Sequence, residues 1–147
     1  MGKRIDVQKE GRKALEALHK EGAYLATSSL DARLRHLIYF RVSQINGAAY
    51  CMDRHYKGAR ALGETEQRLY GLGAWRRTPY YDDRERAAIA FAEGITTCNV
   101  SDDVYNEAKR HFSDEEVIDL TIAVTFINAW NRIGITFSSR PGTYRVG

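Results

Sequence analysis

The stretch from Asp114 to Ile133 carries Val117, Ile118, Leu120, Ile122, Ala123, Val124, Phe126, Ile127, Ala129 and Trp130, so apolar side chains point to nearly every side of the helix it would form. Ser113 followed three residues later by Glu116 fits a capping box at its start. A helix that is apolar all round has to be buried, either at the centre of a domain or between subunits. A chain of 147 residues fits one domain, spanning 1–147, and can bury a core. It has little other mass with which to wrap such a helix completely. The expectation is therefore a homo-oligomer built around this segment.

The rest of the chain also reads as helices. Lys9 to Tyr24 places Ala14, Leu15 and Leu18 at helical spacing, and Ser29 to Ser43 carries Leu30, Leu34, Leu37, Ile38 and Val42 on one broad stripe. Asn46-Gly47 breaks that pattern, and Asn46 is expected to cap a third helix ending near Gly63. A fourth helix starts at Glu64-Thr65-Glu66 and ends near Trp75. Asp82 or Asp83 caps a fifth, with Ala87, Ala88, Phe91, Ala92 and Ile95 on one face, and Ser101-Asp102-Asp103 opens a sixth. Pro79 and Pro141 both fall outside these helices, and the tail from Pro141 reads as coil. Strand readings exist for Ala23 to Thr27 and Ile133 to Phe137, too few to build a sheet. The fold class expected is all-α, a compact bundle of about six or seven helices.

Composition removes several classes of function. The net charge of +3 is too small to imply a nucleic-acid partner, although residues 1–75 hold 13 Lys and Arg against 8 Asp and Glu. No apolar run approaches the ~20 residues a membrane helix needs. The N-terminal sequence shows no secretion signal, and two cysteines make no disulfide framework, so a reducing cytoplasm is the expected location.

The segment Ser43 to His55, SQINGAAYCMDRH, says most about chemistry. Cys51 and His55 lie four apart and share a helical face. A helix start and a neighbouring imidazole both favour thiolate, the nucleophilic form, so Cys51 is expected to be more reactive than Cys98. Two plainer readings stand beside this one. A buried free cysteine is usually inert. His36, Cys51 and His55 also offer three zinc ligands, but no fourth is visible. Trp75 and Trp130 read as core or interface, and Tyr50, Tyr80 and Tyr81 as pocket or contact residues.

SQING-x-x-YC-x-x-x-H resembles the core motif of the alkylhydroperoxidase D-like / carboxymuconolactone decarboxylase superfamily, whose usual form is SQINGC-x-x-C-x-x-x-H. The resemblance extends to Gly63-Glu64-Thr65-Glu66-Gln67-Arg68-Leu69, Ala74-Trp75-Arg76, Asp83-Arg84-Glu85-Arg86-Ala87-Ala88, and Asn128-Ala129-Trp130-Asn131-Arg132 with Phe137 and Pro141-Gly142. It covers nearly the whole chain. It implies an all-helical subunit assembling into dimers, trimers or hexamers. It also implies a peroxidase in which the second motif cysteine attacks a hydroperoxide, the first resolves it, and an external thiol carrier resets the pair. Cys51 takes the place of the peroxide-reactive cysteine and His55 that of the histidine. Ala48 stands where the resolving cysteine belongs, and His36 where a proton-relay glutamate usually sits.

The function expected is a thiol-dependent, peroxidase-like protein using Cys51 and His55, with His36 as an added base. It needs no bound cofactor or metal, only an external thiol reductant and a small hydroperoxide. Loss of the internal CxxC makes its turnover depend on that outside thiol. Two other readings are a redox-inactive binding or scaffold protein, and a decarboxylase or isomerase of small lactones or carboxylates held by Arg41 or Arg54.

Overall fold

A computed structural model describes residues 3–147; residues 1 and 2 of the 1–147 span lie outside it. Helices α1 (Val7–Glu10), α2 (Arg12–Thr27), α3 (Ala32–Asn46), α4 (Ala49–Ala61) and α5 (Glu66–Tyr70) are followed by a 3-10 segment (Gly71–Arg77). Then come α6 (Asp83–Thr96), α7 (Asp102–His111) and α8 (Asp114–Thr136). No strand occurs among the described residues, so both strand readings fall away. No helix of the described residues is long and apolar enough to cross a membrane.

The helix starts follow the expected capping chemistry. Asp31 accepts from Leu34 N–H, Ser101 from Val104 N–H, and Asp82 with Glu85 and Ser113 with Glu116 form complete capping boxes. Two expectations need correction. Asn46 caps nothing at the start of α4; it is the last residue of α3. Gly47 follows it at φ 65°, and the N–H groups of Gly47 and Ala48 bond back to the carbonyls of Gln44 and Ser43. This closure needs a left-handed residue, which glycine supplies without strain. The helix expected over Glu64 to Trp75 breaks after Tyr70. Gly71 and Gly73 weaken helix there, and the Tyr81 hydroxyl donates to the Arg68 carbonyl, which also draws the chain off a regular ladder.

Helix α8 runs through the middle. Val117, Leu120, Val124, Ile127 and Asn131 face inward at 3.5-residue spacing and are buried. They pack with Leu37, Ile38 and Val42 of α3 and Ala88, Ile89 and Ala92 of α6 in one continuous core. Phe126, Trp130 and Ile133, on its second apolar side, are half-buried and wall a cavity. Among its large side chains, Ile118 and Ile135 remain exposed, at 62% and 48%. Asp119 interrupts the apolar pattern; it is buried and accepts the hydroxyls of Tyr24 and Ser28, both at 2.6 Å, tying α2 to α8.

The turn from α3 to α4 is fastened to α8 by amides. Asn46 Nδ2 donates to Asn128 Oδ1 (2.9 Å) and Asn131 Oδ1 (3.0 Å). Asn131 Nδ2 donates to Ser43 Oγ (3.0 Å), which itself donates to the Tyr39 carbonyl (2.7 Å). Asn131→Ala takes one of two partners from each of Ser43 and Asn46 and empties a fully buried position. Chemical denaturation is expected to show a stability loss of roughly 2 kcal/mol or more; a loss near zero would show that the network carries no stability.

Candidate active site

The two-residue link Gly47-Ala48 sets α4 antiparallel to α3, which brings Cys51 and His55 of α4 against His36 and Tyr39 of α3. All four line one cavity of about 660 Å³. This is in the range of a small-molecule site. Its wall also holds Arg35, Arg54, His19, Phe126, Trp130 and Tyr144, and no carboxylate side chain. A smaller cavity of about 440 Å³ opens at the start of α4, lined by Ala48, Ala49, Ile135 and the segment Ser138 to Pro141. Cys51 belongs to both walls.

His36 Nδ1 and His55 Nδ1 stand 3.2 Å apart, so one ring donates to the other. A donor facing an acceptor requires opposite tautomers and at least one neutral ring. Burial holds His55 well below its ordinary range, with the charge of His36 and Arg54 adding to the effect. His36 is lowered to about 4, first by burial, then by Arg35 and Arg54. Both rings are neutral at neutral pH and free to pass a proton along the pair. The His36 ring takes its place because position 58 has no side chain: a Cβ on Gly58 would lie 2.5 Å from His36 Cε1.

Cys51 is the third residue of α4, closer to the helix start than the sequence implied. Its thiol is nevertheless pushed up rather than down. Burial is the largest cause, and Asn131 and Arg54 oppose it only in part. Cys51 is 4% exposed, whereas Cys98 is exposed in the turn after α6. Helix dipole and imidazole were legible in the sequence, but the desolvation that outweighs them was not.

Other assignments change as well. Arg41 is bound to Glu93 at 3.0 Å and does not line the cavity, which leaves Arg54 of the two proposed acid-holding arginines. No group of three metal-ligating side chains suited to an ion occurs among the described residues, so zinc has no geometric support. Trp130 faces the cavity, where His19 packs against it at 5.5 Å between ring centroids. Arg35 and Tyr144 escaped sequence reasoning. Arg35 had a signal, since it adjoins His36 on α3. Tyr144 had none: it reaches the site because Arg54 stacks on its ring at 4.6 Å and Lys57 Nζ donates to its carbonyl at 3.1 Å.

The histidine pair makes the fold acid-sensitive. The unfolded chain takes up protons near pH 6.5, while folded His36 resists until about 4. Stability is therefore fully present above 6.5 and falls as pH drops towards 4, by up to about 1.4 kcal/mol per pH unit for each proton that only the unfolded state binds. His36→Phe is expected to flatten this slope in urea titrations across that window. An unchanged slope would mean that His36 is ordinarily protonated.

Comparison with known proteins agrees with this architecture. Residues 10–94 match the carboxymuconolactone decarboxylase family. An uncharacterized Bacillus subtilis protein, YdfG, is 39% identical over 141 residues, covering 94% of each chain. A solved Agrobacterium tumefaciens protein of unknown function, provisionally called an antioxidant defence protein AhpD, is 36% identical and superposes with a TM-score of 0.92 over 97% of this chain and all of its own. An uncharacterized peroxidase-related protein from Silicibacter is 26% identical with a TM-score of 0.79, over 89% of this chain and 71% of its own. With its motif, its helical order and these matches in agreement, the chain belongs to the carboxymuconolactone decarboxylase family.

Proposed function

We propose that this protein is a thiol-dependent peroxidase in which Cys51 reduces a small organic hydroperoxide. The observation that carries this reading is the placement of Cys51 on the wall of the 660 Å³ cavity together with the neutral His36–His55 pair. Because burial favours the protonated thiol, a base has to act when substrate binds. The sulfur of Cys51 attacks the terminal peroxide oxygen, the O–O bond breaks, and the thiol proton ends on the departing alkoxide. His55 and His36 offer a path for that proton. Arg54 and Arg35, with no carboxylate on the cavity wall, favour the negative charge that develops on sulfur and oxygen. The product is Cys51 sulfenic acid and an alcohol. Ala48 offers no thiol to resolve it, so an outside thiol completes the cycle.

Self-association remains part of the proposal, resting now on the exposed Ile118 and Ile135 rather than on the whole of α8. Sedimentation at micromolar concentration is expected to show more than one subunit; a stable monomer removes this part.

Peroxide treatment followed by mass spectrometry tests the chemistry. Wild type is expected to gain oxygen on Cys51, and Cys51→Ser to gain none there. Ala48→Cys is expected to lose two hydrogens instead, as a 48–51 disulfide forms. His36→Phe is expected to slow oxidation by roughly a hundredfold. An unmodified Cys51 under conditions that oxidise a free thiol rejects the peroxidase reading and favours a binding role.

The buried thiol has a second readout. Iodoacetamide at neutral pH is expected to label Cys98 before Cys51, and the Cys51 rate is expected to keep climbing as pH passes the ordinary thiol range. Rapid labelling of Cys51 that levels off below pH 8 would show a thiolate already formed.

A further inference from the structure

Cys51 is reached from two directions. The larger cavity approaches it past His36, Tyr39, Arg54 and His55. The smaller one approaches it past Gly47, Ala48 and Ala49 on one side and Ile135 with Ser138 to Pro141 on the other. The two share Tyr50, Cys51, Gly134 and Ser139, so they meet at the sulfur-bearing residue. The smaller cavity contains neither histidine. Its one ionic group is Arg140, which is exposed and makes no ion pair among the described residues.

We infer that the smaller cavity is the binding site of the reductant, and that this reductant is a low-molecular-weight thiol bearing a carboxylate. The inference rests on the peroxidase reading above and adds to it where the second substrate binds and what kind of molecule it is. Substitution at sulfur is in-line: the incoming thiolate approaches opposite the group that leaves. The peroxide oxygen is delivered from the cavity that holds the histidines. The sulfenic hydroxyl therefore points into that cavity, and a thiol arriving beside Ala48 attacks from the other wall. The incoming sulfur bonds to Cys51 Sγ, the S–O bond breaks, and the hydroxide leaves as water with the proton of the incoming thiol. A second thiol molecule then attacks the mixed disulfide, returning Cys51 as a thiol and releasing the disulfide of the small thiol. Two electrons from two thiols balance the two consumed by the peroxide.

Size and charge select the reductant. A cavity of about 440 Å³ holds a small peptide thiol. Cys51 is 4% exposed, so a cysteine on the surface of a folded carrier meets the walls before it meets the sulfur. Arg140 at the mouth attracts a carboxylate.

The test separates the two half-reactions in full-length protein. Sulfenic acid is formed with one equivalent of cumene hydroperoxide and followed by dimedone labelling as glutathione, β-mercaptoethanol or a thioredoxin is added. Glutathione is expected to consume the dimedone-reactive sulfenic acid fastest. Ala49→Trp enlarges an exposed residue that lines only the smaller cavity. It is expected to leave the oxidation rate unchanged and to slow glutathione recovery by roughly tenfold or more. Arg140→Gln is expected to weaken glutathione recovery several-fold without affecting recovery by neutral β-mercaptoethanol, and to serve where Ala49→Trp folds poorly. Faster recovery with thioredoxin, or glutathione recovery indifferent to both substitutions, overturns the inference while leaving the peroxidase reading intact. Failure of wild type to form any sulfenic acid overturns both.

Discussion

The position of every reactive group depends on how three side-chain amides meet one glycine turn. Asn46 binds Asn128 and Asn131 on α8, Asn131 binds Ser43 on α3, and Gly47 then reverses the chain in a left-handed conformation. This fastening fixes where α4 begins and how it is rotated. A helix advances about 100° per residue, so a shift of one residue at Ala49 would turn Cys51 and His55 away from α3 altogether. The motif residues before the cysteine are thus framework. They make no chemistry themselves, yet the chemistry has its geometry from them.

The reactive side chains of the site are held neutral. Two histidines sit in contact as neutral rings, the cysteine is kept as a thiol by burial, and the fixed charges around them are the guanidinium groups of Arg35 and Arg54. Such a site holds its charge in reserve. Negative charge that arises during a reaction meets arginines and the amide of Asn131 already in place, and little reorganisation is needed to receive it. The same desolvation that holds Cys51 as a thiol would leave any thiolate formed there poorly solvated and more reactive.

Much of the fold was legible in the sequence because helix caps are local. Ser113 with Glu116, Asp82 or Asp83, and Ser101 each announced a helix start that the structure shows. Asn46 misled for the same reason: asparagine serves both as an N-cap and beside a C-terminal glycine, and a tertiary amide network decided between them. The core motif singled out Cys51, His55 and His36, and the structure brings all three to one cavity. What the sequence lacked was the environment. Whether a cysteine three residues into a helix is activated depends on the balance of dipole against desolvation, and desolvation is a property of packing. The second apolar face of α8 was legible only as apolar, since Phe126 and Trp130 look alike in sequence whether they meet a neighbour or line a hollow.

Gly58 carries a consequence beyond its own helix. The His36 ring occupies the space where any side chain at position 58 would begin, with three ring atoms within 3.1 Å of the missing Cβ. Positions 36 and 58, which are 22 residues apart and on different helices, are therefore constrained as one unit. With the imidazole of His36 in this place, any side chain at 58 requires the ring to move. A side chain added at position 58 would therefore displace the His36 ring from its contact with His55.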